Sequence, residues 1–257
     1  MGYADAVFVA TLVLAALVGV VLGLLGGGGS ILMVPLLVLV AGLDPKEAIA
    51  TSLLVVGVTS LAALVPHALA GRVRWRTGIG FGLAAMVGAY AGGRIAEFIP
   101  GRVLLGAFAV LMLATAVAMI RGRRNQAPGT APTGRASWVR STLQGVVVGL
   151  VTGTVGAGGG FLVVPALVLF GGMPMGAAVG TSLLVIAMNS AAGFAGHLAS
   201  VTIDWPFAAA VTGLAVAGSI VGGLLAGRVP QERLRTAFGW FVLVMGVVVL
   251  GQSAIAT

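Results

Sequence analysis

The sequence predicts an all-α integral membrane protein: two inverted-topology repeats of about five helical elements each, with short broken or re-entrant Gly-rich helices. Three observations lead there. Of 257 residues, 59% are apolar and 8% charged, whereas a soluble domain carries about 25% charged residues. The chain matches itself without a gap at an offset of 130 residues, so that Gly19 falls on Gly149 and Pro35 on Pro165. Basic loops sit at non-equivalent places in the two copies.

The first observation sets the solvent. Ala6 to Leu43 holds no charge, and neither does Ser141 to Ile203. A spanning helix needs about 20 apolar residues, so the second run holds several spans. The 42 glycines would cost a soluble helix about 1 kcal/mol each, but in a bilayer small residues let helices approach closely. The formal charge of +8 does not point to nucleic acid, because the arginines occupy short loops between apolar runs, where a positive-inside signal belongs. With no cysteine and two histidines, disulfides, thiolate metal sites and His-rich metal sites are excluded. No metal or other cofactor is expected. Met1 to Asp5 has no basic stretch, so the first apolar segment reads as a retained span rather than a signal peptide.

The duplication extends well beyond small residues. Thr51-Ser52-Leu53-Leu54-Val55 falls on Thr181-Ser182-Leu183-Leu184-Val185, His67 on His197, Trp75 on Trp205, Pro100 on Pro230 and Phe108 on Phe238. Residues 1–120 therefore form the first membrane repeat and 141–257 the second. Between them, residues 121–140 are a polar linker with Arg121, Arg123, Arg124, Arg135 and Arg140, expected on the cytoplasmic face of the membrane.

Equivalent loops differ in charge. Arg72, Arg74 and Arg76 align with Thr202, Asp204 and Pro206, while Arg228, Arg233 and Arg235 align with Phe98, Val103 and Leu105. Opposite bias in equivalent loops is what inverted repeats predict, and such repeats are common in transporters. Hydropathy places helices at Ala6–Leu25, Ile31–Ala41, Ala48–Ala70, Thr77–Phe98 and Arg102–Ile120. The second half repeats them at Ser141–Val155, Phe161–Phe170, Ala177–Ala199, Pro206–Gly227 and Leu234–Ala254. The second element of each half is too short to span. Inversion requires each half to cross an odd number of times, which suits five elements and puts both termini outside; eight full spans is the alternative if the short elements are not counted.

Two features can carry chemistry. One is the Gly-rich tip before each short helix: Gly26, Gly27, Gly28, Gly29 and Ser30 in half one, and Gly156, Ala157, Gly158, Gly159 and Gly160 in half two. Backbone freed from helix at membrane depth must face protein or a watery cavity, and the N-terminus of the next helix offers free N–H groups to an anion. Tight helix crossing is the competing explanation of the same glycines. The other feature is a polar stripe on the third element: Thr51, Ser52, Thr59, Ser60 and His67, matched by Thr181, Ser182, Asn189, Ser190 and His197. Steps of seven or eight residues keep these side chains on one face. Thr51, Ser52, Thr181, Ser182 and Asn189 are candidate substrate ligands, with bonding between or within helices as the alternative. His67, His197 and Arg94 are candidate gating or coupling residues, Arg94 having Glu97 in reach as a partner. No nucleophile–base–acid arrangement and no phosphate-binding loop can be assembled, so the chain reads as neither an enzyme nor an ATPase.

The duplicated Gly-rich segment ending in Pro35 and Pro165, followed by Thr-Ser-Leu-Leu, resembles the sulfite exporter TauE/SafE family, over nearly the whole chain. The resemblance implies a permease of the inner membrane that moves sulfite, sulfoacetate or a related sulfur-containing anion outward. It names no substrate among these. The implied partners are a small anion and the lipid bilayer, with no nucleic acid, and Gly-rich helix faces are compatible with a homodimer. A passive anion channel and a non-transporting membrane scaffold are the competing functions.

Overall fold

The computed structural model describes residues 3–25, 28–121, 135–156, 160–169, 173–225, 240, 243–244 and 246–251. Nine α-helices are described: α1 (Tyr3–Leu25), α2 (Met33–Leu39), α3 (Pro45–Leu69), α4 (Trp75–Ala96), α5 (Gly101–Arg121), α6 (Arg135–Val155), α7 (Gly160–Leu169), α8 (Met175–His197) and α9 (Trp205–Leu225). A 3-10 turn, Gly28–Leu32, leads into α2. No strand occurs among the described residues. Helix is the structure a bilayer permits, because each backbone N–H and C=O then finds its partner within the segment.

Local chemistry sets the ends. Asp44 caps α3, accepting the Lys46 N–H at 3.0 Å, and Pro45 stands at the first helical position, where its missing N–H costs nothing. Asp204 caps α9 by accepting the Phe207 N–H at 3.1 Å. After α6, Gly156 turns the chain at φ +77° while its N–H bonds the Thr152 carbonyl at 2.9 Å; a side chain would be strained in that conformation.

Five of these helices are long and apolar enough to cross a membrane, in spans running from Ala6–Leu24 to Trp205–Leu225. The described part of the chain is thus multi-pass. α2 and α7, with 7 and 10 residues, are too short to span at about 1.5 Å per residue. Several helix ends differ from the sequence reading by one to three residues, and two differences have a clear local cause. The second element begins as a 3-10 turn at Gly28, before Ile31, since small residues accept the tighter winding. α6 begins at Arg135, six residues before Ser141, because Ser, Trp and Arg continue a helix past the point where hydropathy falls. The expected last helix, Leu234–Ala254, lies largely outside the described residues; within it, residues 246–251 are helical.

The helices pack by exchange between the halves. Gly19 and Gly23 of α1 press on the carbonyls of Ala215 and Ser219 in α9, and Gly218 and Gly222 press back on those of Ala16 and Val20. The same contacts recur 130 residues on, with the halves exchanged: Gly149 and Gly153 of α6 meet the Ala85 and Ala89 carbonyls of α4, and Gly88 and Gly92 meet those of Val146 and Leu150. At each site a Cβ would strike backbone, so only glycine allows this approach. Numbers rise together along both pairs, so α1 runs parallel to α9 and α4 to α6. Across α3 and α8 they run oppositely: Gly193 faces Leu53 and Gly57 faces Ser190. These two equivalent helices therefore cross antiparallel.

α3 and α8 form the centre. Their spans are 72% buried, against 33–44% for those of α1, α4 and α9. Around them, Val13, Leu17, Val87 and Leu224 are exposed, an apolar surface suited to lipid. Trp75 and Trp205, at the starts of α4 and α9, are half-exposed, as aromatic anchors at a membrane–water boundary are.

A candidate site in the α3–α8 seam

The structure brings the Gly-rich tip of one half onto the Thr-Ser pair of the other. Ser52, fully buried, places its hydroxyl 2.7 Å from the Gly156 carbonyl and 2.7 Å from that of Ile49 in its own helix. A Cβ on Gly156 would lie 2.5 Å from Ile49 Cγ2. In the first tip, Gly28, Gly29 and Ser30 form the 3-10 turn, and a Cβ on Gly29 would lie 2.6 Å from the Leu22 nitrogen. Gly160 opens α7. Gly26, Gly27, Ala157, Gly158 and Gly159 lie outside the described residues. Close packing is thus one established use of the glycines at Gly29 and Gly156.

The remaining stripe residues divide into two groups. One group is engaged. Thr181 accepts the Arg74 N–H at 2.9 Å, tying α8 to the start of α4, and Ser182 donates to the Val179 carbonyl at 2.8 Å. His197 donates from Nε2 to the Gly153 carbonyl at 3.0 Å, tying α8 to α6. Asn189 donates from its amide nitrogen to Thr152 Oγ1 at 2.5 Å. Thr152 was not among the expected site residues. It stands where half one has Leu22, and one hydroxyl among the several of α6 gave no sign of a partner 37 residues away. Thr51 is buried beside these groups, at 2% exposure.

The other group is buried without a partner: Thr59 Oγ1, Ser60 Oγ, Ser190 Oγ and Asn189 Oδ1. These are two equivalent dipeptides, Thr59-Ser60 and Asn189-Ser190, one on each side of the crossing. There a Cβ on Gly57 would stand 3.2 Å from Ser190 Cβ and 4.0 Å from the Ala187 carbonyl. Gly57 and Ala187 are themselves equivalent positions at the 130-residue offset. His67 is also buried, with the Gly23 backbone against its ring. The stripe residues of the seam are hydroxyls, one amide and two imidazoles, with no Asp, Glu, Lys or Arg among them. Arg94 is elsewhere. It pairs with Glu97 at 3.3 Å, both partly exposed, and the Glu97 carbonyl accepts Lys46 Nζ at 2.8 Å. This is the end of the bundle that holds Asp44, Glu47 and Asp204. A cavity of about 430 Å³ opens there, lined by Pro35, Val38, Asp44, Lys46 and Arg102 among others. Among the described residues no group of His, Cys, Asp or Glu is arranged to hold a metal ion.

A buried polar seam between two register-matched halves narrows the kinds of protein this can be, and comparison with known proteins narrows them further. A probable membrane transporter protein of Xylella fastidiosa is 36% identical over 248 residues, covering 92% of each chain. The probable membrane transporter protein YdhB of Bacillus subtilis is 24% identical over 242 residues, 91% of this chain and 96% of the relative. A probable membrane transporter protein of Methanocaldococcus jannaschii is 28% identical over 205 residues, 76% and 75% of the two chains. No solved structure matches the chain. The sulfite exporter TauE/SafE family model matches residues 11–249, taking in both Gly-rich tips, both Thr-Ser pairs and the seam, and the chain belongs to that family.

Proposed function

We propose that this chain is a secondary transporter that exports a small sulfur-containing anion, such as sulfite, sulfoacetate or a related organosulfonate, by alternating access. Family membership and the transporter names of its relatives support a membrane transporter. The observation that carries the finer reading is the seam. α3 and α8 are the most buried spans, they are equivalent to one another, and they place hydroxyl and amide groups between halves that exchange contacts residue for residue. In an inverted pair of repeats, the packing of one half can be adopted by the other, which exposes a central site first to one face and then to the other. An uncharged, hydroxyl-rich path suits a small anion that sheds water and finds hydrogen-bond donors.

The charge distribution supports an orientation. Arg72, Arg74 and Arg76 are exposed together, on the end of the bundle where α5 finishes and α6 begins. The Asp44, Glu47 and Asp204 end is opposite. By the positive-inside rule the arginine end and the 121–140 linker face the cytoplasm of the inner membrane. On this reading the Gly-rich tips and Thr-Ser pairs border the anion's route, His67, His197 and Arg94 modulate it, and the chain has no catalytic role.

Counterflow in proteoliposomes tests the proposal. Vesicles loaded with unlabelled sulfite or sulfoacetate are expected to accumulate the labelled anion transiently and saturably. Flux without counterflow would mark a channel, and absence of flux for every anion tried would point to a non-transporting subunit.

A further inference from the structure

We infer that the anion is held at the α3–α8 crossing by the hydroxyls of Thr59, Ser60 and Ser190, with Asn189 alongside, and not at the Thr51-Ser52 and Thr181-Ser182 pairs. This rests on the transporter reading above and gives it an address. The argument begins with what helical hydroxyls do elsewhere in this protein. In an apolar setting a Ser or Thr bonds the carbonyl three or four residues back in its own helix. Thr11 does so to Val7, Ser52 to Ile49, Thr154 to Leu150, Ser182 to Val179, Thr212 to Ala208 and Ser219 to Val216. Thr59, Ser60 and Ser190 are as buried as any of these, at 1%, 0% and 0% exposure, yet each hydroxyl makes no bond at all.

An unmade bond on a buried hydroxyl is unfavourable, and here three belong to the two equivalent dipeptides on the two sides of the α3–α8 crossing, with the unpartnered Asn189 oxygen. The amide nitrogen of Asn189 is held by Thr152, which fixes the side chain. The Thr-Ser pairs are poorer candidates, since Ser52 and Ser182 donate to backbone carbonyls and Thr181 accepts the Arg74 N–H. Three free O–H donors without a neighbouring positive charge suit an oxyanion with several acceptor oxygens on one atom, such as sulfite or a sulfonate head. An uncharged site also releases the anion more readily than an arginine would. At this crossing equivalent residues of the two halves, Gly57 and Ala187, meet, a position that stays central when the halves exchange conformations.

The test is the double variant S60A/S190A, in detergent and in proteoliposomes, with sulfite and sulfoacetate as probes. Because neither hydroxyl has a protein partner, the ligand-free melting midpoint is expected to stay level or rise. The midpoint shift produced by the anion is expected to vanish, and KM in counterflow to rise at least tenfold. A fall in the ligand-free midpoint would overturn the inference, since it would give the hydroxyls a structural role. Unchanged KM and unchanged anion shift would overturn it too, leaving the hydroxyls to water alone. Should the double variant fail to insert, S190A alone, which deletes one donor, is expected to show the same pattern in smaller degree. Wild-type protein that neither binds nor moves any anion would instead refute the transporter reading, and this inference with it.

Discussion

Replacing Gly153 with Ala adds one methyl group at the tightest kind of contact in the fold. The new Cβ would meet the Ala89 carbonyl oxygen and lie 2.5 Å from Ala89 Cα. These are backbone atoms of α4, so no side chain can swing away and the helices must part. Overpacking of this kind costs about 1–3 kcal/mol. Parting α6 from its neighbours also strains the His197 bond to the Gly153 carbonyl, a loss of about 1 kcal/mol. Against this, Ala is a better helix former by up to about 1 kcal/mol. The net expectation is destabilisation of about 1–3 kcal/mol, which at about 2–4 °C per kcal/mol lowers the melting midpoint by several degrees. Gly213→Ala is the internal control: its Cβ would meet nothing within 4 Å, so only the propensity gain remains. Melting in detergent, followed by tryptophan fluorescence, measures both. If Gly153→Ala melts no lower than Gly213→Ala, the argument that glycine is required by interhelical contact is wrong.

Other expectations follow from the same geometry. Ser52→Ala removes the bond to the Gly156 carbonyl and is expected to lower stability by about 1–2 kcal/mol, read from the same melts. Gly28→Leu and Gly158→Leu are expected to abolish counterflow while insertion, judged by membrane fractionation, continues; normal flux in both would remove the Gly-rich tips from the anion's route. Arg94→Ala breaks only a partly exposed ion pair and is expected to leave the midpoint nearly unchanged, with any loss of flux then marking a role in gating. Because the chain has no cysteine, single reporters are straightforward. In intact cells a membrane-impermeant maleimide is expected to label Asp44→Cys and not Arg76→Cys, and the reverse pattern would invert the proposed orientation.

Much of the fold was legible because a bilayer leaves the chain few choices. Charge-free runs had to be helices, and the 130-residue offset marked the equivalents that later proved to share contacts, Gly19 with Gly149 and Gly88 with Gly218. Helix ends were less legible. α6 reaches back to Arg135 since hydropathy reports lipid, not winding. The polar stripe was visible by its spacing, but spacing cannot tell a hydroxyl that is occupied from one that is free.

Membrane residence, helical class, duplication and family were therefore settled by the sequence itself, since each depends on composition, period or identity along one chain. Tertiary structure alone decided which groups are available. Ser52 is taken by Gly156 and Asn189 by Thr152, partners 104 and 37 residues away, while Thr59, Ser60 and Ser190 are left bare. The reason is physical: a hydrogen bond is short and directional, so its presence depends on where α3, α6 and α8 cross, and that is set by glycine contacts between the halves.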